Sequence, residues 1–101
     1  MDTGANPIDR LHAIIIGQVQ GVGFRYFVKH QAESLAVKGW VRNLPEGQVE
    51  VMAEGLPGSI DQLIRSISLG PPGAIVIEVT QTRSQGTGEF INFIVDTRGS
   101  Y

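Results

Sequence analysis

The residues best placed to do chemistry fall in one stretch, Gly17-Gln18-Val19-Gln20-Gly21-Val22-Gly23-Phe24-Arg25. Its glycines let the backbone take positive φ and let a ligand approach the main chain. The apolar run Ala13-Ile14-Ile15-Ile16 precedes it and a segment with helical apolar spacing follows, so the stretch reads as a turn from a strand into a helix. The first N–H groups of a helix have no intrahelical partner and lie at the positive end of its dipole. A glycine-rich loop feeding a helix start therefore suits an anion, above all a phosphate. Arg25 falls in the first turn, where its guanidinium can reach back over the loop and meet a phosphate with paired hydrogen bonds. No Gly-Lys-Ser/Thr follows, so this is not a Walker loop, and Tyr26 stands where a dinucleotide fingerprint needs its third glycine. A plain turn with a solvated arginine is the competing reading. The coincidence of spacing, helix start and arginine favours the anion site.

The rest of the chain must hold this loop. Leu11 to Gly17 reads as a central strand, Phe24 to Val37 as a helix ended by Lys38 and Gly39, and Trp40 to Asn43 as a second strand. Leu44-Pro45-Glu46-Gly47 is a tight turn. Gln48 to Glu54 returns as a third strand, with Val49, Val51 and Ala53 pointing one way and Gln48, Glu50, Met52 and Glu54 the other. A second helix opens at Gly55 to Gly58, carries Ile60, Leu63, Ile64 and Ile67 on one stripe, and stops at Gly70-Pro71-Pro72-Gly73. Ala74 to Arg83 is a fourth strand and Glu89 to Val95 a short last one. Met1 to Asp9 and the residues after Asp96 read as tails around a single domain over 10–96.

This order, β-α-β-β-α-β plus one strand, implies an α+β, ferredoxin-like split βαβ sandwich, an antiparallel sheet with both helices on one face. The first and second strands then run in the same direction with the third between them. The glycine loop and Asn43 end up at one edge of the sheet, on backbones ~10 Å apart.

Asn43 is turn-prone, but at that edge its amide could accept a proton from a water and donate to an oxygen, positioning the water without acting as a base. His12 and His30 lack metal-ligand partners at useful spacing, and the carboxylates are scattered along the chain as solvated residues would be. Trp40, Phe90 and Phe93 read as packing. An anion cradle with a water-positioning amide, and with no evident general acid, nucleophile or metal set, suits a phosphate whose leaving group departs unaided. A carboxylate is such a group, because its conjugate acid has a pKa of about 4. The reading points to an acyl phosphate.

The motifs at 17–25 and Gly39-Trp40-Val41-Arg42-Asn43 together resemble the acylphosphatase family. The likeness continues through Val49 to Gly55, Gly70-Pro71-Pro72-Gly73-Ala74 and Phe93-x-Val95, covering roughly residues 10 to 96. The resemblance implies a ferredoxin-like fold and cofactor-free, metal-free hydrolysis of acyl phosphates to carboxylate and phosphate, and, as in small members of the family, a monomer. The family's phosphate-binding arginine falls on Arg25, its water-orienting asparagine on Asn43, and its cradle on Gln20, Gly21, Val22, Gly23 and Phe24. Leu44 stands where some members carry a threonine.

Composition limits the partners. The chain has 101 residues, 42% of them hydrophobic, no cysteine and a formal net charge of -2. That charge argues against broad binding to nucleic acid or to anionic membrane. No apolar run approaches the ~20 residues of a membrane span, no secretory signal is apparent, and the absence of cysteine fits a cytoplasmic protein. Three rivals remain: a module that binds phosphate or carbamoyl phosphate without turnover, an RNA-binding domain of the same topology, and the first domain of a larger carbamoyl-transferring maturation protein. The RNA reading needs exposed aromatics on the central strands, which His12 to Ile16 and Val49 to Ala53 lack.

Overall fold

A computed structural model describes residues 7–98. Its elements run β1 (Asp9–Gln18), α1 (Phe24–Ser34), β2 (Lys38–Asn43), β3 (Val49–Gly55), α2 (Pro57–Leu69), β4 (Ile75–Gln85) and β5 (Phe93–Asp96). Asp9, expected in the N-terminal tail, opens β1 instead, pairing with Gly55 and Gln85. The remaining tail expectations at 1–6 and 99–101 lie outside the described residues.

The strands form one five-stranded sheet in the order β4-β1-β3-β2-β5. Alternation along β1 and β3 sends Leu11, Ala13, Ile15, Val49, Val51 and Ala53 into the core, where Phe24, Val28 and Ala32 of α1 and Ile60, Leu63 and Ile67 of α2 cover them. The first four strands form the expected antiparallel sheet, and the extra strand β5 joins its edge parallel to β2, with Gly39 opposite Phe93 and Arg42 opposite Asp96. After β4 the chain crosses the end of the sheet farther from the glycine loop and turns back up beside β2, so it arrives in β2's own direction.

Two glycines proved to serve the sheet. α1 ends at Ser34, before the expected Lys38-Gly39 stop. Ala36 takes a left-handed φ of 57° there, and Val37 N–H donates to Ala32 O at 2.8 Å. This is a Schellman-type closure built on alanine, so no glycine marked it. Gly39 lies within β2 at φ 145°, where a Cβ would stand 1.9 Å from Met52 O. Gly17 lies at a bulge of β1 against β4, where a Cβ would stand 2.0 Å from Ile75 O.

The scattered carboxylates are not all solvated, as their spacing implied. Glu54 and Asp96 are buried. Glu54 faces the connection that leaves β4 and accepts hydrogen bonds from Thr87 N and Gly88 N, both at 2.9 Å.

Candidate active site

β3 is antiparallel to both β1 and β2, so the C-terminal ends of β1 and β2 share one edge, as the topology required. After Gln18 the chain turns inward at Val19, which is fully buried, and then passes through Gly21 and Gly23, both at φ 76°. A Cβ on either would meet nothing within 4 Å. These glycines are there for the left-handed backbone and not for lack of room. Gly23 caps α1 with ψ 20°, and the first intrahelical bond runs from Phe27 N–H to Gly23 O at 3.0 Å. The amides before it are the unsatisfied first turn of the helix, and neither a capping side chain nor an acidic residue of that turn answers them.

Beside these amides lies a cavity of about 160 Å³, lined by Val19, Gly21, Gly23, Phe24, Arg25, Tyr26 and Asn43. A liquid water occupies about 30 Å³, so the space suits one phosphoryl group with a water. Its lining holds one cation, Arg25, and no carboxylate. Arg25 Nη1 is buried and makes no hydrogen bond to the other described residues. A buried guanidinium N–H left in that state costs free energy unless a ligand answers it.

Asn43 closes β2 at 7% exposure, on the inward side with Val41. The structure thus brings Arg25, Gly21, Gly23, Phe24 and Asn43 together, as the sequence placed them. It does not bring Arg42 with them. Arg42 lies on the outward face of β2, stacks 5.0 Å from the Trp40 ring centroid and donates to Glu50 Oε1 at 2.7 Å. Val22 and Gln20 also lie outside the cavity lining. Val22 packs partly buried against the core. The Gln20 amide nitrogen donates to Leu44 O at 2.8 Å and to Gln48 O at 2.9 Å, in the turn after Asn43. Sequence reasoning missed Val19 and Tyr26 as lining residues. Tyr26 directly follows Arg25 in the first turn, and that adjacency was the available signal.

His12 keeps to a structural role, with Nε2 2.6 Å from Glu50 Oε2, and His30 is exposed on α1. Burial works to raise the Glu50 carboxyl, but its hydrogen bonds with His12 and Arg42 outweigh it and hold the group below the usual carboxylate range. Among the described residues no group of three or more His, Asp or Glu side chains converges as metal ligands would, and no helix is long and apolar enough to cross a membrane.

Comparison with known proteins bears on this arrangement directly. The model of a family described as acylphosphatase matches residues 11–95. A curated acylphosphatase of Acaryochloris marina is 49% identical over 83 residues, which is 82% of this chain and 88% of the relative. The crystal structure of acylphosphatase from Bacillus subtilis superposes with a TM-score of 0.85 at 33% identity, covering 87% of this chain and 98% of that one. The crystal structure of T. kodakarensis HypF also superposes, with a TM-score of 0.74 at 30% identity, over 85% of this chain but 11% of that one.

Proposed function

The chain belongs to the acylphosphatase family and is an acylphosphatase, an enzyme that hydrolyses acyl phosphates; from that premise we propose that Arg25 and the 20–24 backbone hold the phosphoryl group while Asn43 positions the attacking water. The observation that carries the residue roles is the buried Arg25 Nη1 without a hydrogen-bond partner among the described residues, sharing one cavity with Gly21, Gly23 and Asn43.

The steps follow from what those groups can do. The first-turn amides and the guanidinium donate to the phosphoryl oxygens. Their hydrogen bonds strengthen as charge gathers on those oxygens in the transition state. The Asn43 amide holds a water in line with the breaking P–O bond, and a phosphoryl oxygen takes the proton that the water gives up. The acyl carboxylate leaves with the bonding electron pair and needs no proton, because it is a weak base at neutral pH. For that reason the reaction asks for no general acid and no metal. We also read the protein as a cytoplasmic monomer acting on a small acyl phosphate, with no nucleic-acid partner. The lack of cysteine and the net charge of -2 support this.

The test is hydrolysis of benzoyl phosphate, followed by its ultraviolet absorbance in the presence of EDTA, with p-nitrophenyl phosphate as the control. Cleavage of the first and little of the second is expected. Arg25→Ala lowers kcat/KM by about 100- to 1,000-fold. Asn43→Ala lowers kcat by a comparable factor, while inhibition by inorganic phosphate changes little. Full kcat in Asn43→Ala would remove the water-positioning role. Phosphate binding with no turnover in the wild type would leave a binding module.

A further inference from the structure

Near the active-site edge the sheet runs out of ladder. The last paired residues of β1 and β3 are Ile15 and Val49, and the last of β2 and β3 are Asn43 and Val49. Beyond that register β1 continues to Gln18 with β4 on one side and no strand on the other. The loop that carries the cradle and the strand end that carries Asn43 therefore face each other across the start of β3, with no backbone ladder between them. The Gln20 side chain spans the gap. Gln20 is half-buried, and its amide nitrogen donates to both Leu44 O at 2.8 Å and Gln48 O at 2.9 Å. Those two carbonyls flank the turn at its base. Leu44 N–H donates to Gln48 O at 2.8 Å, and Gly47 N–H donates to Leu44 O at 3.2 Å.

We propose that Gln20 is a positioning residue: by tying the base of the 44–48 turn to the phosphate cradle, its amide sets where Asn43 stands relative to the bound phosphoryl group. Both of its N–H donors point to the turn, so the side chain contributes nothing to phosphate directly. Its effect on the reaction passes through Asn43. The inference rests on the roles proposed above for Arg25 and Asn43.

The geometry also supplies a variant that folds. Leu44 O and Gln48 O each keep a backbone donor when Gln20 loses its own, so Gln20→Met, of similar length and without a donor, leaves no carbonyl orphaned. Gln20→Glu, which sets a carboxylate against two carbonyl oxygens, is the second variant. The experiment measures kcat and KM for benzoyl phosphate, the inhibition constant of inorganic phosphate and the melting temperature. It uses the wild type, both Gln20 variants, Asn43→Ala and the Gln20→Met/Asn43→Ala double variant. A small displacement of a positioned group can cost up to about a hundredfold in rate. For the loss of one tether we expect kcat to fall about tenfold in Gln20→Met and further in Gln20→Glu. The phosphate inhibition constant should stay within about threefold of wild type, because the cradle and Arg25 are intact. In the Asn43→Ala background the same Gln20→Met change should cost less than about twofold, because the group it positions is gone. A tenfold loss in both backgrounds, or a loss of phosphate affinity that tracks kcat, would overturn the proposal and return Gln20 to the cradle or to a general structural role. Full kcat in Asn43→Ala alone would instead overturn the role assigned to Asn43, and the positioning role with it.

Discussion

Glu54→Gln should unfold this protein more readily while leaving its chemistry alone. Glu54 is 3% exposed. Its carboxylate accepts from Arg10 Nε at 2.7 Å, Thr87 N at 2.9 Å, Thr87 Oγ1 at 3.0 Å and Gly88 N at 2.9 Å. Glutamine keeps one acceptor oxygen and puts an NH₂ group where the other was. If the oxygen stays on Gly88, the new amide faces Arg10 Nε and Thr87 N, and both lose their acceptor. Hydrogen bonds to a charged group contribute about 1.5–3 kcal/mol each. Relief from desolvating the carboxylate offsets part of that loss, so a net cost of about 3 kcal/mol is expected. At about 4–8 °C per kcal/mol for a domain of this size, the melting temperature falls by roughly 12–24 °C. Urea titration followed by Trp40 fluorescence reads the shift, with the slope m unchanged. Glu54 pairs in register with Arg10 and Lys38, at the end of the sheet away from Asn43, so kcat at 25 °C should match the wild type. A cost below about 0.5 kcal/mol, or a tenfold fall in kcat, would refute the view that this carboxylate anchors the β4–β5 crossing and nothing else.

Acid should weaken the fold by the same logic. Burial raises the Glu54 carboxyl, but hydrogen bonds from Thr87, Arg10 and Gly88 outweigh it and hold it below the usual range. Asp96 is brought down to about 2 by hydrogen bonds from the Arg98 side chain and backbone. Carboxyls with folded values below their unfolded ones stabilise the protein fully above about pH 5, and that contribution is lost as pH falls toward 2. Urea midpoints should therefore drop from pH 5 to pH 3, less steeply in Glu54→Gln. Gly39→Ala places a Cβ 1.9 Å from Met52 O and should cost about 3 kcal/mol or more by opening the β2–β3 ladder. Gly23→Ala meets no atom within 4 Å, pays only for its left-handed φ at about 1–2 kcal/mol, and should remain folded; equal melting temperatures for the two variants would contradict this. Inorganic phosphate at a hundredfold its dissociation constant should stabilise the wild type by about 2.7 kcal/mol, an effect that thermal melts should find absent in Arg25→Ala.

What could be read from the sequence was whatever a residue type enforces locally. Gly21 and Gly23 had to be a left-handed turn because few other residues take that backbone readily, and Ile60, Leu63 and Ile67 had to face one way because a helix repeats every 3.6 residues. Their consequence, Arg25 and Asn43 at one sheet edge, followed from the handedness of the crossovers and needed no contact to be known. The misreadings share a different origin. The inward Glu54 and the Gly39 taken for a helix stop are each decided by a partner distant in sequence. Gly39 looked like a helix stop, but it is required by the carbonyl of Met52 on the neighbouring strand. Glu54 looked like a solvated acid, but it receives the amides of Thr87 and Gly88, 33 and 34 residues further on. Gln20 shows how this reaches the site itself. Its position beside two glycines marked it as part of the cradle, yet its amide belongs to a turn 24 residues away. The two ends of the sheet thus treat their buried polar groups differently. Around Glu54 the carboxylate is matched by donors on every side, which holds the crossing in place. At the glycine loop the first turn of α1 has no side-chain cap, and Arg25 Nη1 has no hydrogen bond among the described residues. A fold selected only for stability would have capped α1 with a serine or aspartate and paired that arginine with a carboxylate. That it does neither fits the phosphate-holding role proposed for this loop.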